Sequence, residues 1–376
     1  MPFCHAPWTS IDIDPIGKIT PCCKFLNQYY DQKFNLQTDS INSYVNSEFL
    51  GEIKKEFQQG KWPKGCERCR VDEEHGIESK RQLDYQRWQV EYDNYNFDTG
   101  KFIIGAVCFG NTCNLKCISC GPVSSSRWQK EYKQIYNINI ENFKFYKKNF
   151  LEDLTQAAPD LIHLDIAGGE PFLSAVPEQQ ELLRHYIENN QAHLITLHYT
   201  TNVTTFPDPD WWELWKHFKE IDMQLSIDGT GARQEYIRYP SKWSEILSNV
   251  HRYIEKEQQL SNLRLSVSHT VSAYNIYYLE DFVIWCKEIG LPAPWLGRVH
   301  KPERVRPAVW PAGAREHIYN KLSKSQHPEV LTWAKLIQNS DDSTYFEKFQ
   351  NSVKSHDEYR GLDFKTTFPE MADYLK

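Results

Sequence analysis

Cys113, Cys117 and Cys120 lie in one short run, Cys113-Asn-Leu-Lys-Cys117-Ile-Ser-Cys120, with the spacing Cys-x3-Cys-x2-Cys. Three thiolates held this close suit three irons of a cubane iron–sulfur cluster. No fourth cysteine follows nearby, so one iron of such a cluster would stay open to a substrate or cofactor. A structural zinc site wants four ligands and is closed. Zinc with a remote fourth ligand, or three reduced thiols on a loop, is the plainer reading of this run by itself.

A second set comprises Cys4, then Cys22 and Cys23, then Gly65-Cys66-Glu-Arg-Cys69. Ser10 to Ile13 alternates like a strand, Pro15-Ile16-Gly17 turns, and Lys18 to Pro21 returns. That hairpin carries Cys4 toward Cys22, and Gly17 permits its tight turn. The Cys66–Cys69 turn supplies another pair. Four thiolates suit zinc or an iron–sulfur cluster, and spacing alone favours zinc. Cys108 and Cys286 are expected to be small buried apolar residues.

These loops need a scaffold. From Lys101 onward, apolar runs of strand length alternate with amphipathic stretches. The pattern predicts strands over 102–108, 161–166, 194–200, 221–227, 263–269 and 294–299, with helices such as 177–190, 242–259 and 275–289 between them. Such alternation builds a parallel sheet with crossover helices. Six units fit a partial (β/α)6 TIM-like barrel better than a closed eightfold one, and chemistry in such folds sits at the carboxyl ends of the strands. The three-cysteine loop follows the first strand. Gly168-Gly169-Glu170-Pro171 follows the second; its glycines let backbone approach a ligand and its carboxylate suits a cationic amine, although such turns also serve geometry alone. Thr201-Asn202 ends the third, which is common turn chemistry. Ser226-Ile-Asp228-Gly229 ends the fourth, with Arg238 beyond it; arginine pairs with carboxylates through parallel hydrogen bonds. Trp295, Arg298, His300 and Arg306, at or after the last strand, are candidates for a substrate cleft.

The organisation expected is a small cysteine-rich domain over 1–70, a helical connector over 71–100, the barrel over 101–311, and a polar helical extension over 312–376 without a motif. The 376 residues, 40% hydrophobic and 25% charged, are ordinary for globular chains. No apolar run is long enough to cross a membrane, and Asp12 and Asp14 interrupt the segment where a secretory leader would be apolar. A cytoplasmic protein is expected, and in that reducing compartment clustered cysteines serve as metal ligands. The net charge of −7 argues against generic nucleic-acid binding.

The cluster run and the three later motifs, in this order at successive strand ends, resemble the radical S-adenosylmethionine (SAM) superfamily over about residues 101–300. The resemblance implies a [4Fe–4S] cluster on Cys113, Cys117 and Cys120 whose open iron binds SAM. It implies one-electron cleavage of SAM to methionine and a 5′-deoxyadenosyl radical, which takes hydrogen from a substrate. By the same resemblance the Gly168–Pro171 turn holds the methionine amino group and Thr201-Asn202 lies near the ribose. Ser226 and Arg238, flanking Asp228, contact ribose and carboxylate. The N-terminal pattern is similar to the twitch domain, the short form of the SPASM domain, here preceding the barrel instead of following it. It implies one auxiliary [4Fe–4S] cluster on Cys4, Cys22, Cys66 and Cys69, since no further cysteine lies between Arg70 and Val107. Cys22 fits that pattern better than Cys23, and His5 is an alternative ligand. The family also implies a low-potential electron donor, flavodoxin or ferredoxin. The expected substrate is a peptide or protein side chain. The alternatives are a small molecule or nucleotide and, outside this chemistry, a non-enzymatic zinc-binding interaction protein.

Overall fold

The computed structural model describes residues 2–74, 78–97, 100–138 and 149–375. Its strands are β1 (Ser10–Ile13), β2 (Lys18–Thr20), β3 (Phe34–Asn35), β4 (Ile104–Cys108), β5 (His163–Ala167), β6 (Thr196–Thr201), β7 (Glu220–Ser226), β8 (Leu263–Val271) and β9 (Trp295–Arg298). Their order in the sheet is β3-β2-β1-β4-β5-β6-β7-β8-β9. β4 to β9 fall where the apolar runs of strand length predict strands, and parallel pairing links β4 to β5, β5 to β6, and β8 to β9. Helices such as Val176–Glu188 and Trp243–Gln259 occupy the crossovers. The α/β class and the parallel sheet are those expected of the barrel.

Contacts divide the chain into two compact units. The first holds residues 1–111, 143–199 and 210–221; the second holds 112–142, 200–209 and 222–376. These limits differ from the boundaries at 70, 100 and 311 expected above. The reason is a ladder: β1 lies parallel to β4, with Ile11 opposite Gly105 and Ile13 opposite Val107. The cysteine-rich segment therefore extends the sheet instead of forming a body of its own.

In the first unit the sheet has two chemically distinct faces, because side chains alternate along each strand. Ile13, Val107, Ile166 and Tyr199 lie in one row across β1, β4, β5 and β6, each at most 1% exposed. Helix Pro209–Trp215 packs on this face, its Trp215 ring 5.2 Å from Tyr199. The neighbouring row on the opposite face is Asp12, Ala106, Asp165 and His198.

The stretch 72–97 is not the single connecting helix expected. Helix Glu67–Glu74 runs into it, followed by Lys80–Arg87 and Gln89–Asp93. Ser79 starts the second of these with a capping box: its Oγ accepts the Gln82 amide, and the Gln82 side chain accepts the Ser79 amide at 3.0 Å. In the second unit the C-terminal region is helical as expected but not simply polar. Ile318, Leu322, Phe349 and Phe364 are buried in one core with Tyr274 and Trp310.

Candidate metal centres

The β1–β2 hairpin closes on Asp14, whose Oδ1 accepts the Ile16 and Lys18 amides at 2.9 Å each, and on Gly17 at φ +79°. This fixes Cys4 and Cys22 on either side of the hairpin. Cys66 ends the short 3-10 turn Lys64–Cys66, and Cys69 sits in the first turn of helix Glu67–Glu74. Gly65 must lack a side chain here, because a Cβ would stand 2.3 Å from the Phe25 ring. The four cysteines line one pocket together with Lys80 and Arg81. Cys23 is exposed and does not line it; His5 stacks on Tyr92 at 4.2 Å and does not line it either.

Burial pushes the Cys4 thiol up to about 12, and raises Cys22, Cys66 and Cys69 as well. Burial works against the Lys80 cation too, but Cys23 and Asp84 outweigh it and raise its pKa. Arg81 is fixed by two bonds to Glu73, at 2.9 and 2.6 Å, and by one to the Phe3 carbonyl at 2.8 Å. Two cations thus border four thiols, a setting that stabilises bound anionic sulfur. Sequence reasoning missed Lys80 and Arg81. Among the described residues no group of three or more His, Cys, Asp or Glu side chains has the spacing of a site for one metal ion. The fit to an iron–sulfur group rests on the donor set: four thiols, one cavity and adjacent positive charge.

The three-cysteine loop leaves the end of β4 and is held from behind by its carbonyls. Ser125 Oγ donates to the Leu115 carbonyl at 2.6 Å, and Trp128 Nε1 donates to that of Cys117 at 3.1 Å. Arg360 Nη2 donates to the Lys116 carbonyl at 3.0 Å. On the sulfur side, the Leu115 amide approaches Cys113 Sγ at 3.4 Å and Asn202 Nδ2 at 3.7 Å. Asn202 also donates to Asn114 Oδ1 at 3.0 Å. A hydrogen bond between Cys117 and Cys120 raises the first thiol and lowers the second, with burial working upward on both and Arg238 pulling both down. This donor set, three thiols without a fourth in the loop, fits a cluster with an open iron.

Arg238 Nε donates to Asp228 Oδ2 at 2.7 Å, and Asp228 Oδ1 accepts the Thr270 amide at 2.7 Å. Burial opposes the Arg238 charge, yet Asp228 raises its pKa. Asp228 therefore orients Arg238. Ser226 is buried at the end of β7. Thr201 Oγ1 accepts the Val203 amide at 3.2 Å, closing the turn after β6. In the other unit, Gly168 and Gly169 both take positive φ, and Glu170 is fully buried before Pro171. The cleft candidates behave otherwise. Arg298 and Arg306 both pair with Asp342, at 3.3 and 3.1 Å, and Arg306 also donates to the His300 carbonyl. These two arginines brace the loop after β9, and Trp295 is 51% exposed.

Residues 4–70 match the family model of the SPASM iron–sulfur cluster-binding domain, which spans Cys4, Cys22, Cys66 and Cys69. No curated protein matches the chain. Among solved structures, native anSMEcpe with bound AdoMet is similar at 19% identity and a TM-score of 0.41, over 53% of this chain and 52% of its own. Native anSMEcpe with bound AdoMet and Kp18Cys peptide is similar at 16% identity and 0.40, over 69% and 62%. Streptococcus suis SuiB bound to S-adenosylmethionine is similar at 10% identity and 0.35, over 96% and 72%. The chain spans about half the length of the first of these. No helix among the described residues is long and apolar enough to cross a membrane.

Proposed function

We propose that this chain is a radical SAM enzyme whose SAM-cleaving cluster sits on Cys113, Cys117 and Cys120. An auxiliary cluster sits on Cys4, Cys22, Cys66 and Cys69. The observation that carries the proposal is the three-thiol loop itself: its sulfurs face Asn202 and Arg238 while its carbonyls are tied away behind. When bound, the loop's cluster supplies the electron that splits SAM into methionine and a 5′-deoxyadenosyl radical.

The protein's own part is positional. Cys113, Cys117 and Cys120 would hold the cluster as thiolates, with the Arg238 charge favouring the ionised forms of Cys117 and Cys120. Trp128 and Ile118, at most 1% exposed, exclude water from the back of the loop. Arg238, held by Asp228, and Ser226 serve the carboxylate and ribose of SAM. Thr201-Asn202 shapes the ribose side, and the Gly168–Pro171 turn serves the amino group. The Cys4 pocket offers four cysteine ligands, enough to hold every iron of a cluster that would serve electron transfer or bracing. A peptide or protein side chain is the substrate class, following the resemblance of residues 4–70 to a SPASM-type domain. A flavodoxin or ferredoxin supplies the electron.

The test is reconstitution without oxygen, addition of SAM and dithionite, and mass-spectrometric measurement of 5′-deoxyadenosine. Product is expected from the wild type and absent from the variant with Cys113, Cys117 and Cys120 changed to Ala. Iron-loaded wild type that forms none sinks the proposal.

A further inference from the structure

Behind the three-cysteine loop lies a buried ionic network that the mechanism above does not use. Glu131, on helix Trp128–Tyr136, and Arg360, the last residue of helix Phe346–Arg360, both have fully buried side chains and pair at 2.8 Å. Glu131 also meets Lys116 Nζ at 2.5 Å. Lys116 lies inside the loop, directly before Cys117. The Arg360 guanidinium stacks over Trp128 at 4.8 Å and Tyr239 at 5.1 Å. Both stacking partners hold the loop as well: Trp128 binds the Cys117 carbonyl, and the Tyr239 carbonyl accepts the Lys116 amide at 2.5 Å.

Buried ion networks seldom stabilise a fold beyond what apolar residues of equal size would give, so retaining one calls for another use. Here the network's outputs converge on the backbone around Lys116 and Cys117, and Arg360 itself bonds the carbonyl of the peptide that links the two. We infer that Arg360, together with Glu131, is the positioning residue of the three-cysteine loop, fixing the orientation of that peptide and hence of the Cys117 and Cys120 sulfurs. The inference rests on the reading that this loop holds a cluster. Its logic is hydrogen-bond direction. Arg360 draws the Lys116 carbonyl backward, so its partial negative charge is turned from the thiolates. Without Arg360 that carbonyl is a buried acceptor lacking its charged partner, and the peptide is free to rotate toward the sulfurs. Lysine keeps the charge but lacks the fork that bonds a carboxylate and a carbonyl at once.

The test compares wild type, Arg360→Lys and the double variant Arg360→Met/Glu131→Gln, which removes the Arg360–Glu131 ion pair at similar volume and keeps a hydrogen-bonding side chain beside Lys116. Folding is followed by circular dichroism and melting. In iron-free protein, alkylation rates of Cys113, Cys117 and Cys120 are measured by mass spectrometry against Cys4, Cys22, Cys66 and Cys69 as internal reference. Both variants are expected to change the rates of Cys117 and Cys120 about fivefold or more, the scale of one lost charged hydrogen bond, and to leave the reference thiols unchanged. In reconstituted protein the electron paramagnetic resonance signal and midpoint potential of the SAM-binding cluster should shift, while those of the other cluster stay. A lowered melting temperature with unchanged relative rates and an unchanged signal overturns the inference and leaves Arg360 as a structural staple. Should Arg360→Lys not fold, the double variant decides by the same two readouts. Wild type that takes no iron on these cysteines sinks the enzyme reading instead, and the alkylation readout still judges Arg360.

Discussion

At the scale of single residues, Gly168 shows why a motif can be geometric and functional together. It sits at φ +88°, and a Cβ there would lie 2.4 Å from Cys108 Cβ and 3.1 Å from its Cα. The backbone atom cannot swing aside, so Gly168→Ala is expected to lose about 2 kcal/mol or more in urea unfolding. His269 gives a second test. Burial lowers its pKa to about 4, and its ring nitrogen Nδ1 lies 3.0 Å from the Ile227 carbonyl, which suits a neutral ring donating there. The folded value lies below the unfolded value of about 6.5, so the unfolded chain takes the proton first. Stability from this group is whole above about pH 6.5 and is lost as pH falls toward 4. Melting temperature should drop over that interval, and His269→Gln should flatten the drop. The run from Cys113 to Cys120 stands out in the sequence because its spacing is local. Lys80, Arg81 and Arg360 do not, because their roles arise from contacts that span the fold; Arg360 and Glu131 are 229 positions apart.

At the scale of elements, the decisive piece is the short helix Lys80–Arg87, which brings both cations to the four-thiol cavity. Its start is fixed by Ser79, fully buried, which accepts the Gln82 amide and donates to Glu73 at 2.6 Å. Ser79→Ala removes the cap and a partner of Glu73, the same carboxylate that holds Arg81. The expected cost is about 1 kcal/mol, read in urea unfolding, with less iron retained per chain at the N-terminal site. Unchanged stability would mean that Arg81 alone anchors Glu73. This boundary was visible in the sequence: Ser79-x-x-Gln82 is a capping-box signature. Reading 72–97 as one helix overlooked it. The six strands from β4 to β9 were easier, since a short apolar run between amphipathic stretches is a property of each strand alone.

Across the whole molecule, the C-terminal helices complete the core of the second unit. The Phe349 ring lies 5.0 Å from Trp310 and 5.1 Å from Tyr274, all of them at most 1% exposed. Phe349→Ala should cost about 3–5 kcal/mol, measurable in urea, although the residue lies far along the chain from every motif. A merely solvated extension would lose almost nothing. The sequence's polar look there reflects outward faces, while the apolar stripe is spread over three helices. The β1–β4 ladder was equally hidden, because no local pattern names a strand's partner. That ladder also governs the order of events at the ribosome. Ile11 waits for Gly105, synthesised on the order of 90 residues later, before its parallel partner exists. The residues that line the four-thiol pocket, Cys4 to Asp84, are all synthesised before that partner exists.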